Sequence, residues 1–260
     1  MMTICRAVIA GVKPRVRSTH RRVAGDCLKL LHRAAWAAAT LLCAAAPFRC
    51  DAARPLATDD ADILDKADCE WEGVYTRQTA HRSPAENGWA TQLSCGIGLS
   101  TQLALAYGEA HAADLTSRNV TLQGKTGLIQ RKDDGLGLTV AWTIGGVKEH
   151  DKEFKHDFTQ VYLVATQEVV KDVTWHANLG WLRNQLDHKS LATWNLAGEY
   201  AVGGGVDLVG EFYGEQHSKP WWGVGTRWQA TEALSLNAGF GMQSENPRIR
   251  QWSVGFKFAF

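Results

Sequence analysis

No stretch of about twenty consecutive apolar residues occurs in the 260-residue chain, so it cannot cross a bilayer as a helix. Gly-rich strings such as "GVGTR" and "GGGVD" lack the spacing of a phosphate loop, and the histidines show no tight metal-ligand spacing. Proline and methionine are scarce, at 6 and 3, whereas glycine and tryptophan number 25 and 11. That balance suits β structure with close backbone approaches better than a helix bundle.

A net charge of +1 hides an asymmetry. Through Ala52 the chain carries nine Lys/Arg against Asp26 and Asp51; the remainder has 19 bases and 25 acids, net −6. A basic leader on an acidic body reads as targeting and not as nucleic-acid binding. After Arg33 comes "AAWAAATLLCAAA", long enough for a signal-peptide core and short for a span. The small-x-small pattern Cys50-Asp51-Ala52 predicts cleavage after Ala52, so residues 1–52 are read as a cleaved signal peptide. Cys69 and Cys95 then remain, either as a disulfide or as free thiols.

The rest of the chain alternates. In "QWSVGFKFAF", Trp252, Val254, Phe256, Phe258 and Phe260 interleave with Gln251, Ser253, Gly255, Lys257 and Ala259. The same two-residue period predicts strands near 69–78, 89–98, 101–110, 119–129, 135–145, 157–168, 172–182, 190–201, 206–215, 220–230, 234–243 and 250–260. Each has about the nine to eleven residues of a tilted membrane-crossing strand. The segment 157–168 alternates worst. Connections alternate long and short, as between outer loops and periplasmic turns. Trp71, Trp175 and Trp228 fall near one strand end; Trp89, Trp181, Trp194, Trp222 and Trp252 fall near the other, as two interfacial bands.

The fold expected is therefore all-β: a transmembrane antiparallel up-and-down β-barrel of about twelve strands over 69–260. A periplasmic β-sandwich or lipocalin-like barrel is the alternative. In the membrane reading the polar face lines the lumen, with Glu72, Lys125, Glu199, Glu211, Arg227 and Lys257 as its charges. Glu211 with Arg227 about a loop near 218–219, and Lys257 with Glu70 or Glu72 across the closing seam, form cross-strand pairs. Residues 53–68, with Thr58, Asp59, Asp60, Asp62 and Asp65, are either a plug-like lumen segment or a periplasmic tail. The symmetry of Cys69 and Cys95 about residue 82 permits a cross-strand disulfide.

The last strand with its terminal aromatic, Phe258 and Phe260, resembles the C-terminal assembly signal of bacterial outer-membrane proteins. That resemblance implies a place in the Gram-negative outer membrane, among its lipid, after delivery by the barrel-assembly machinery. The stretch "RPLATDDADILDKADCEWEG", with Pro55-Leu56 and Thr58-Asp59-Asp60, resembles the opening of outer-membrane proteins of the MetA-pathway of phenol degradation family. It implies a transporter of small, aromatic or apolar molecules. A structural or surface-interaction barrel, with "VKEHDKEFKHDF" as its contact loop, and a lipid-modifying barrel enzyme are the alternatives. The apolar face shows no Ser-His-Asn/Asp group at plausible cross-strand spacing, so no catalytic residue, cofactor or metal is assigned.

Overall fold

The computed structural model describes residues 56–260, apart from 133, 150, 151 and 246. The signal peptide assigned to 1–52 and the first residues of the 53–68 segment lie outside them. Twelve strands follow in order: β1 (Cys69–Ala80), β2 (Glu86–Gly98), β3 (Thr101–Ala112), β4 (Leu115–Ile129), β5 (Gly137–Glu149), β6 (Lys155–Val170), β7 (Val173–Asn184), β8 (Ser190–Gly203), β9 (Val206–Glu215), β10 (Trp221–Gln229), β11 (Leu234–Gln243) and β12 (Ile249–Ala259). Each pairs antiparallel with its sequence neighbours, and β12 pairs with β1 to close the barrel. Closure leaves no edge strand with unpaired backbone groups.

The strand period decides the two faces. Val224, Trp228, Leu236, Trp252, Val254 and Phe258 are exposed on the outside. The alternate positions, including Glu72, Ser94, Lys125, Asn178, Ser235 and Asn237, are buried in the barrel. Apolar outside and polar inside is the inverse of a soluble barrel. Aromatic pairs reinforce the outer surface: Trp71 meets Phe256 edge-on, Trp89 lies against Tyr107, and Trp222, Phe240 and Trp252 form a contiguous group.

Strand positions agree with the alternation, but the connections depart from the expected long–short order. The stretch around 110–118, read as a long loop, is a hairpin closed by Ala113 and Asp114, because pairing continues through His111↔Thr116 and Ala112↔Leu115. The stretch after Ile129, read as a short turn, extends to Gly137. Leu99 and Ser100 join β2 to β3 with φ of 54° and 52°. Two such residues in succession turn the chain with the twist of the flanking strands, a conformation usually given to Asn-Gly.

Segment 157–168, the weakest by pattern, belongs to the longest strand, β6. Its inward residues Phe158, Tyr162 and Val164 are themselves apolar and buried. Alternation is blurred there because apolar residues sit on both faces, the inner ones interleaved with Gln160 and Thr166.

Candidate functional site

The barrel interior is crossed by the chain's own residues 56–66. They enter at the end where β1 begins and β12 ends. Lys66 bridges Gly96 of β2, the Ala67 amide donates to the Gly96 carbonyl, and the Gly96 amide donates to the Asp68 carbonyl. A Cβ on Gly96 would collide with the Leu64 and Asp65 carbonyls, so glycine is what lets the segment lie this close. Cys69 and Cys95, opposite each other in register beside this junction, are joined by a disulfide.

From there the segment climbs along the β3–β9 side of the wall. The Leu64 amide donates to Gln102 of β3 at 2.9 Å. Asp62 takes a two-point contact from Arg131, at 2.9 and 3.2 Å. Ala61 is buried against Ala141, Tyr162 and Val164. Its amide donates to Thr166 Oγ1, and its carbonyl accepts from Thr139 Oγ1.

Asp59 and Asp60 converge on Lys125 of β4. The Lys125 ammonium donates to the Asp60 carbonyl at 2.7 Å and lies 3.1 and 3.2 Å from the two carboxylates. Asp59 also accepts from the Tyr162 hydroxyl, and Asn178 of β7 receives its amide and donates to its carbonyl. At the upper end one Glu211 oxygen accepts from the amides of Ala57 and Thr58 and from the Thr58 hydroxyl, at 2.7, 3.0 and 3.0 Å. Asn195 donates to the Ala57 carbonyl, while Leu56 packs on Ala197 and Val209. A buried hydrogen bond to a charged group contributes about 1.5–3 kcal/mol, so Glu211 and Lys125 are the principal anchors of a segment with little apolar surface.

The remaining wall charges pair among themselves. Arg227 binds Glu199 at 2.7 Å and Asp207 at 2.8 Å, with His176 beside Glu199. The expected Glu211–Arg227 pair does not form: the β9–β10 hairpin sets Arg227 opposite Asp207 and Glu211 opposite Gly223. Lys257 is opposite Glu72 in register, but its ammonium lies 2.8 Å from Glu70. Glu72 is buried, with Gln92 Nε2 at 3.4 Å. Asp65 is exposed, and what it offers the barrel is its carbonyl against Gly96. Phe258 and Phe260 stack outside the barrel, and the Phe260 backbone exchanges two hydrogen bonds with Cys69.

The segment does not fill the lumen. A cavity of about 60 Å³ stays open between Leu56–Asp59 and the β1–β4 wall. Its lining is mainly polar: Glu70, Glu72, Gln92, Ser94, Gln102, Gln123, Lys125 and Tyr162. Among the described residues no group of three or more His, Cys, Asp and Glu side chains is arranged to hold a metal ion. The residues the alternation did not single out, Gln102, Thr139, Tyr162, Thr166 and Asn195, are neutral. An uncharged inward residue looks the same in sequence whether it faces water or a docked peptide.

The chain matches the family model "Uncharacterised conserved protein UCP029691" over residues 38–260, and it belongs to that family. No curated protein matches it by sequence. In fold it is similar to the COG4313 outer membrane channel from Pseudomonas putida F1: TM-score 0.60, 9% identity, 79% of this chain and 100% of that one. The KdgM porin gives 0.57 and 9%, over 73% and 99% of the two chains, and has also been seen in complex with disordered oligogalacturonate. The NanC porin gives 0.57 and 8%, over 72% and 98%. Such low identities show the shared barrel fold alone.

Proposed function

We propose that this member of the UCP029691 family is exported by the leader at 1–52, resides in the Gram-negative outer membrane, and forms a narrow channel for small polar solutes. Residues 56–66 act in it as a fixed constriction. One observation carries the reading: a barrel apolar outside and polar inside is crossed by a hydrogen-bonded segment that leaves a polar cavity along one wall. An apolar exterior of this kind suits lipid, and a lumen lined by Gln, Ser, Glu and Lys suits hydrated cargo.

The resemblance of Pro55–Asp60 to the phenol-degradation family implies aromatic or apolar cargo. The cavity lining argues against it, since an apolar molecule would displace water from Glu72, Gln92 and Gln123 without replacing their hydrogen bonds. Phe258 and Phe260 are assigned to recognition by the barrel-assembly machinery, on the resemblance of the last strand to an assembly signal.

A second reading, a closed structural or surface-interaction barrel, is favoured by the buried Phe158, Leu182 and Trp221 on the inner wall. Purified protein in planar bilayers separates the two. Discrete current steps above the bare bilayer are expected of a channel. Stable insertion with no current would overturn it and leave the closed barrel. A lipid-modifying enzyme would instead release fatty acid or lysolipid from vesicles.

A further inference from the structure

The outward face of the barrel is lopsided in charge. At the end where the chain enters and leaves, the outward strand positions are apolar or uncharged, as at Ile97, Leu128, Val202, Trp228 and Phe258. Among the described residues no strand carries an outward charged side chain at that end. At the other end, alternation and register place five bases on the same face. Arg77 of β1 is opposite the outward Trp252, and Arg250 of β12 continues the Trp252–Val254 row. Arg118 continues the Val120–Leu122 row of β4, Lys148 of β5 lies directly opposite Arg118, and Arg183 continues the Leu179–Trp181 row of β7. Among the described outward strand positions at this end the acid is Glu109, 2.6 Å from Arg118 and 2.8 Å from His111.

Two features of this collar call for an anion from outside the chain. Arg118 and Lys148 are like charges placed directly across a strand pair; Glu109, opposite Arg118 on β3, answers Arg118 and leaves Lys148 without an acid. Arg77 and Arg250 stand diagonally on the adjacent strands β1 and β12. Among the described residues Arg77, Arg250 and Lys148 make no ion pair with an acid of the chain. The collar also sits immediately beyond the aromatic belt: Arg77 beside Tyr75 and Trp252, Arg118 beyond Tyr107 and Val120. Such a belt marks headgroup level.

Resting on the membrane reading, we propose that this basic collar docks the phosphate-bearing headgroups of the lipid leaflet at the end of the barrel remote from its termini. Arg77 with Arg250 forms one phosphate seat, and Arg118 with Lys148 the other. The arrangement also favours one orientation, because the outward strand positions of the opposite rim carry no charge among the described residues.

The probe is diphosphorylated lipid A, with its dephosphorylated form as control. Full-length protein in neutral detergent is scored by native mass spectrometry for lipid retained. Retention of the phosphorylated form is expected to fall about tenfold in the variant combining Arg77→Gln, Arg250→Gln, Arg118→Gln and Lys148→Gln. The variant should remain heat-modifiable on gels, since all four side chains lie on the outer surface. Equal retention of the two lipids by the unaltered protein, or undiminished retention by the folded variant, would overturn the collar. Competition by inorganic phosphate at equal concentration would reassign the seats to a free anion. Failure to insert into neutral-lipid vesicles would overturn the membrane reading itself, whatever the retention.

Discussion

The two flanks of the lumen are built from the same alternating strands and do opposite things. The β4–β9 flank presents Lys125, Thr139, Tyr162, Thr166, Asn178, Asn195 and Glu211 inward, and each binds the chain's own segment. The β10–β12 flank presents Gly223, Gly225, Gly239, Gly241, Ser253 and Gly255 inward, in adjacent rows of the same ladder. One flank is a docking surface; the middle rows of the other carry mostly glycine, between Trp221 at one end and Arg227 and Lys257 at the other. The barrel interior is thus filled off-centre, with the segment on the β4–β9 side and the polar cavity against β1–β4.

The sharpest test of that contrast deletes residues 56–64 and spares the Lys66–Gly96 junction. Unitary conductance should rise several-fold in planar bilayers; an unchanged value would mean the segment obstructs nothing. Next in size is Lys125→Met, which removes the ammonium shared by Asp59 and Asp60. We expect a loss of about 3 kcal/mol in the segment's attachment. It should read out as rapid switching between the normal and the deleted-segment conductance, with global unfolding in urea little affected. Smaller again is Ser253→Trp, which places a large ring on the thin flank. It should lower conductance without altering stability, and a larger drop from an equivalent ring at Ala141, under the segment, would reverse our assignment of the two flanks. The smallest effect on conductance is expected from Cys69→Ser with Cys95→Ser. Backbone pairing at Gly96 already holds the junction, so thermal stability should fall while the single-channel current stays the same.

Strand positions were legible because a half-buried strand must alternate, and the inward placing of the six charges from Glu72 to Lys257 follows from that period. Ion-pair partners were less legible. The β9–β10 hairpin turns two residues earlier than the spacing suggested, and this moves every cross-strand partner by four, so Arg227 meets Asp207 in place of Glu211. The freed Glu211 became the main acceptor for the segment. The Cys69–Cys95 pairing was legible because its hairpin turns about the midpoint the spacing gave. The poor pattern of β6 looked like a defect. It marks the place where the inner wall must be apolar to receive Ala61.

The closing seam joins strands from the two ends of the barrel sequence: Glu70 and Lys257 touch across 187 residues. A ring closed this way has no removable link. Loss of any hairpin would leave two strand edges facing a gap, with hydrogen-bonding rows open to the nearest β-rich chain.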